Sequence, residues 1–184
     1  MITIILAHPW HGSFNKAILD TLIEKYKNER KEYQIIDLYK DNFRASYTEE
    51  ELSHYNKGYT NDKTVLKYQE MIRNTSEIVL IFPIWWGTMP AILKGFFDRV
   101  MLLDFAFNYQ NGWTPLLNIN KGTVITTSQS PTDFFKQTIE HGVIQQMLGS
   151  VGVNNVKWYN CDNVSHSPRE DKTKFLEMLK KEEI

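Results

Sequence analysis

Three strand-length runs, Ile2–Ala7, Ile78–Pro83 and Thr123–Thr127, are apolar on both faces. Strands of this kind need cover on two sides, and a parallel sheet with helices packed above and below supplies it. Weaker strand signals at Tyr33–Leu38 and Val156–Tyr159 bring the set to five, all rich in Ile, Val and aromatic residues. Helical periodicity fills the intervals. Phe14, Ala17, Ile18, Leu22 and Tyr26 recur at three and four residues, and Val65, Tyr68, Gln69 and Ile72 form a shorter stripe. Ala91–Met101 reads as a third helix with Pro90 suited to its first turn, and Pro131 to Leu148 as a fourth. A fifth opens at Ser167-Pro168-Arg169-Glu170, a capping-box pattern with proline at the first helical position.

Strands alternating with helices in this way predict a doubly wound α/β fold over a single domain, residues 1–184. At this length the expected arrangement is flavodoxin-like: five parallel strands in the order 2-1-3-4-5 with helices on both faces. Two connections are long, Tyr39–Asn61 and Asp104–Lys121. The first contains Thr48-Glu49-Glu50-Glu51, a capping box for a short helix, and the aromatics Phe43, Tyr47, Tyr55 and Tyr59, which pack the loop onto the body or cover a neighbouring site.

Lys and Arg number 21 against 22 Asp and Glu, a formal net charge of -1, which argues against nucleic-acid binding and against a strongly acidic electron carrier. The lone Cys161 makes neither an internal disulfide nor a cysteine zinc site and reads as a small buried residue. The N-terminal apolar run has no basic residue before it and stops at His8-Pro9, unlike a signal peptide; Ile78–Gly87 is about half the length a bilayer needs. A cytoplasmic protein with no membrane insertion is expected.

In such a sheet ligands bind beyond the carboxyl ends of the strands, where the strand order reverses. Three loops meet that description. His8-Pro9-Trp10-His11-Gly12-Ser13-Phe14-Asn15 opens a helix, whose free N–H groups and dipole favour a phosphate; Ser13 and Asn15 add side-chain donors, or Ser13 is a plain helix cap. With only Gly12 present there is no G-x-G-x-x-G turn. Pro83-Ile84-Trp85-Trp86-Gly87 places two adjacent tryptophans at a strand end; they suit a flat aromatic ligand, or they wedge against the third helix or a partner chain. Thr127-Ser128-Gln129-Ser130-Pro131 either meets the polar rim of a ring or is a turn in which Ser130 caps the next helix.

The remaining candidates carry less. His8 and His11 are too few for a metal, and none is expected. Ser13 lacks the surroundings of a nucleophile elbow. Asp98-Arg99 reads as surface ion pairs, and Glu49-Glu50-Glu51 and Lys180-Lys181-Glu182-Glu183 as solvated charge.

Phe82-Pro83-Ile84-Trp85-Trp86 followed by Met89-Pro90-Ala91-Ile92-Leu93-Lys94-Gly95-Phe96-Phe97-Asp98-Arg99-Val100 resembles the flavodoxin-like NAD(P)H:quinone reductases, the DT-diaphorase family with its shorter bacterial relatives. Phe105-Ala106-Phe107-Asn108-Tyr109, Gly112-Trp113 and His8 with Ser13-Phe14-Asn15 extend the likeness from the first strand through the fourth. The resemblance implies a bound flavin, FMN in preference to FAD, with NADH or NADPH as donor and a quinone-like acceptor. It places Ser13, Phe14 and Asn15 on the phosphate side, His8 against the flavin, Pro83, Ile84, Trp85, Trp86 and Gly87 along the ring, and Thr127, Ser128 and Gln129 at its pyrimidine edge.

Departures accompany the likeness. Ser128-Gln129 stand where larger members have glycines, and Phe134 and Phe135, with His141 further on, occupy the stretch that carries a proton-transferring Tyr and His in the family. No catalytic acid carries over; His141 and Tyr109 are the weak candidates. Phe107 and Trp113 are expected to wall one substrate slot that donor and acceptor use in turn, in a ping-pong sequence, within a homodimer that buries the aromatics. The competing readings are an ancillary subunit bound to the cytoplasmic domain of a potassium efflux transporter, and a flavodoxin-type electron carrier.

Overall fold

A computed structural model describes residues 1–184. The elements run β1 Ile2–Leu6, α1 Phe14–Asn28, β2 Tyr33–Asp37, α2 Glu49–Ser53, α3 Lys63–Arg73, β3 Glu77–Pro83, α4 Ala91–Val100, β4 Phe107–Asn108, β5 Thr114–Pro115, β6 Lys121–Thr127, β7 Val156–Cys161 and α5 Arg169–Lys181. Five strands form one parallel sheet in the order β2-β1-β3-β6-β7, which is 2-1-3-4-5 counted along that sheet. The two-residue strands β4 and β5 pair antiparallel as a separate ribbon inside the long 104–121 connection, an element without a sequence signal.

The doubly apolar strands behave as their pattern requires. Ile5, Leu80, Phe82 and Val124 face a core closed by Tyr68, Leu93 and Phe96. Alternate residues Ile4, Leu6, Val79, Ile81 and Ile125 face a second core closed by Leu19, Leu22 and Leu179. All four residues of the α3 stripe are buried. Lys25 is buried too, its ammonium held by the Leu179 and Glu182 carbonyls at the end of α5, where a cation offsets the helix dipole.

Several sequence expectations need correction. The fourth helix is a 3₁₀ turn, Thr132–Phe135, followed by a π-helix, Gln137–Gly149. Ser130 does not cap it: Pro131 holds the cap position, and the Ser130 carbonyl instead accepts from Ser128 Oγ at 2.8 Å. Ser167 forms no capping box. The Asn163 carbonyl accepts from both His166 N and Ser167 N, drawing Ser167 into the preceding turn, so Pro168 takes the cap position and the Ser167 hydroxyl is buried without a partner. Pro90 likewise sits at the cap of α4, one residue before its first turn.

The largest correction concerns Arg99. It is 2% exposed rather than a surface residue. Its guanidinium bonds Glu51 Oε1, Asp62 Oδ2 at 2.6 Å and the Arg44 carbonyl, and lies over the Phe43 ring with 5.3 Å to the centroid. Glu51 is thus part of a buried network and not solvated charge. Burial alone would raise its pKa, but hydrogen bonds from Arg44 and Arg99 prevail and hold it at about 2. Gly95 lets α4 approach this segment, since a Cβ there would overlap the Ala45 backbone. Together these contacts fasten the 43–62 connection across α4.

Candidate functional site

Beyond the carboxyl ends of β1, β3 and β6 lies a cavity of about 580 Å³. His8, Gly12, Ser13, Phe14 and Asn15 line it from the first loop, Pro83, Ile84 and Trp85 from the second, and Thr127, Ser128 and Gln129 from the third. The loops are tied to one another. Asn15 Nδ2 donates to Thr127 Oγ1 at 2.9 Å, and Ile84 N donates to the Thr127 carbonyl at 2.8 Å. A fourth loop, after β7, completes the wall: Gln129 Nε2 donates to Ser165 Oγ, and Val164 N to the Ser128 carbonyl. Lys172 reaches the cavity from α5.

At the start of α1, Ser13 Oγ accepts from Lys16 N at 3.2 Å and the Ser13 carbonyl from Ala17 N. The cap reading of Ser13 is therefore correct as far as it goes. Its O–H remains free to donate, and the Phe14 and Asn15 amides have no intrahelical partner. Lys172 lines the same cavity, so hydrogen-bond donors and a cation gather near the start of α1, the chemistry of an anion cradle. Asn15 Oδ1 is different: it is a buried acceptor with no partner, on a residue 3% exposed. Such an orphan calls for a donor from a bound molecule.

His8 Nδ1 accepts from Trp10 N at 3.1 Å, which leaves Nε2 to carry the proton of the neutral ring. Burial, reinforced by nearby His11, holds its pKa below the ordinary value, so the ring is neutral near pH 7. His11 points away to Asp37, with Nε2–Oδ2 at 2.8 Å. Burial pushes the Cys161 thiol up to about 11, leaving it unreactive.

The second loop is a tight turn. Trp85 N donates to the Thr88 carbonyl at 2.9 Å and Thr88 N returns a bond at 3.1 Å, with φ of 50° at Trp86 and 81° at Gly87. Positive φ at both central positions is the type I′ geometry, which Gly87 accepts freely and Trp86 only with strain. The turn projects Trp86 wholly into solvent. Trp86 and Gly87 line an adjoining recess with Ile84, Trp85, Gln129 and Phe135 rather than the first cavity.

The other predicted residues lie apart. Phe107 and Trp113 stack at 4.1 Å between centroids, with Tyr109 edge-on to both, and Phe107 and Trp113 line a separate groove. His141 sits on the π-helix, bonded to Gln145 and Gln146. Sequence reasoning missed Ser165 and Lys172, in the loop after β7 and on α5, where the one local signal was the helix start at Ser167-Pro168.

Residues 1–182 match a protein family described by its flavodoxin-like fold. An uncharacterized NAD(P)H oxidoreductase of Haemophilus influenzae is 31% identical over 84% of this chain and 80% of its own length. An FMN-dependent NADH:quinone oxidoreductase of Clostridium perfringens is 26% identical over 80% of this chain and 77% of its own. Among solved structures, an NAD(P)H:quinone oxidoreductase from Methanothermobacter marburgensis superposes with a TM-score of 0.86 at 27% identity, covering 97% of this chain and 94% of that one. With a five-stranded parallel sheet in the order β2-β1-β3-β6-β7 and a family match over nearly its whole length, this chain belongs to the flavodoxin-like fold family and is similar to named NAD(P)H oxidoreductases.

Proposed function

We propose that the chain is an FMN-dependent NAD(P)H oxidoreductase that reduces quinones or similar flat conjugated acceptors. One observation carries this reading: an anion cradle, Trp85 at the base of the aromatic turn and a polar amide rim line one cavity at the strand-order switch, with the turn's tip bordering an adjoining recess. A flavin mononucleotide has an anion, a polyol chain and a flat ring with a polar edge, in that sequence. The phosphate would be held by Ser13, the Phe14 and Asn15 amides and Lys172, the polyol would supply the donor that Asn15 Oδ1 lacks, and the ring would lie along Pro83–Gly87 with Thr127–Gln129 at its rim. When bound, the flavin supplies the two-electron chemistry, and the protein supplies orientation and electrostatics.

His8 lies in the wall as a neutral imidazole and so adds no positive charge there. The Trp85-Trp86 turn borders a recess open to solvent, in which donor and acceptor would bind in turn. A homodimer completes the slot. Trp86, Phe134, Tyr109 and Trp113 are each exposed on a single copy, where a two-fold contact would cover them, and the Phe107–Trp113 hairpin of the second copy would wall the slot. No helix is long and apolar enough to cross a membrane, in keeping with a cytoplasmic enzyme. The test is oxidation of NADH or NADPH by the purified chain loaded with FMN, with menadione as acceptor. Acceptor-dependent turnover is expected; flavin binding without turnover on either donor would refute the reductase assignment.

A further inference from the structure

The position of Trp10 is explained neither by the fold nor by catalysis. Its side chain is 67% exposed, yet it lines the anion end of the cavity. The indole packs so closely on the loop that a Cβ on Gly12 would overlap it, so the missing side chain at Gly12 is what lets the ring seat there. The backbone at Trp10 is also fixed, its N–H donating to His8 Nδ1 and its carbonyl accepting from Ser13 N at 3.1 Å. The ring thus borders the same cavity as Ser13, Phe14 and Asn15, whose amides would receive the anion.

Resting on the proposed flavin site, we infer that the Trp10–Gly12 pair selects the phosphorylated end of the cofactor: it accepts a terminal phosphate monoester and excludes a ligand that continues through a second phosphate. A monoester ends inside the cradle, carries close to two negative charges at neutral pH and offers three terminal oxygens to the donors around it. With a ligand seated, the indole would cover part of that end and, by displacing water, strengthen the attraction between the anion and Lys172, which lines the same cavity. The inner phosphate of a pyrophosphate offers one oxygen fewer, and a chain continuing past it would have to pass the indole. Discrimination against the wrong ligand by steric conflict needs only one such side chain.

The experiment titrates the full-length chain, stripped of flavin, with riboflavin, FMN and FAD, following flavin fluorescence. Wild type is expected to prefer FMN over FAD. Trp10→Ala should shrink the FMN-to-FAD preference by about tenfold or more while leaving riboflavin affinity within about twofold. Gly12→Ala keeps the indole but displaces it, and should shift the preference the same way by less. It also guards against a folding defect in the first variant, because the ring it displaces is the free end of a side chain. An unchanged FMN-to-FAD ratio in both variants overturns the selector role. So does a riboflavin loss equal to the FMN loss, which would mean general loop damage. A wild-type chain that binds none of the three flavins overturns the functional reading itself and this inference with it.

Discussion

Asn15 joins the start of α1 to the end of β6 through its bond to Thr127, and with the same side chain leaves a buried carbonyl oxygen unpaired inside the cavity. The amide is therefore fixed in orientation before any ligand arrives. Ser13→Ala together with Asn15→Ala should weaken FMN binding by about 2–3 kcal/mol, from the loss of charge-assisted and buried hydrogen bonds. Equilibrium titration measures this, and unchanged affinity would remove both residues from the cofactor site.

Arg99 is expected to be the most costly single charge to remove. Arg99→Met leaves Glu51 and Asp62 without their buried partner, and breaking such a pair typically costs about 3–5 kcal/mol. Urea unfolding monitored by circular dichroism tests it; a change under about 0.5 kcal/mol, the size of an ordinary surface substitution, would contradict the buried network.

The same network sets an acid limit. Because Glu51 is held near 2, well below its ordinary 4.5, its contribution is complete above about pH 5 and is lost as pH falls toward 2. Glu51→Gln should therefore be less stable than wild type at neutral pH, with the gap closing on acidification. A gap that stays constant from pH 6 to about pH 3 would exclude Glu51 as the titrating group.

The sheet was legible because doubly apolar strands leave few alternatives, and three of the four cavity loops followed from strand order. Arg99 carried a signal that charge obscured: it lies at the i+7 position from Ile92 and i+3 from Phe96, on the apolar stripe of α4. Its partners Glu51 and Asp62 are 48 and 37 residues away, a separation that no local pattern reports. Ser165 and Lys172 were invisible for the same reason. The π-helix has a weak apolar periodicity, and 3.6-residue reasoning had no means to distinguish it from an ordinary helix.

Trp86 at the tip of its turn offers a check on assembly. Light scattering at micromolar concentration should give the mass of a dimer, and Trp86→Glu should shift it toward monomer by placing a charge in the covered patch. A monomeric wild type with flavin bound would leave the slot without its second wall.

If donor and acceptor share one recess, initial rates with NADPH and menadione varied together should give parallel lines in double-reciprocal plots. Trp113→Phe should then alter the KM for menadione more than FMN affinity. Intersecting lines would mean that both substrates are bound at once, and flavin loss in the variant would move Trp113 into the cofactor site.

The central claim is that the cavity at the head of α1 holds FMN. The most direct measurement is mass spectrometry of the small molecule released by heat from the purified chain after incubation with an equimolar mixture of FMN and FAD. FMN is expected, at one per chain. Release of FAD alone, or of no flavin, would contradict it.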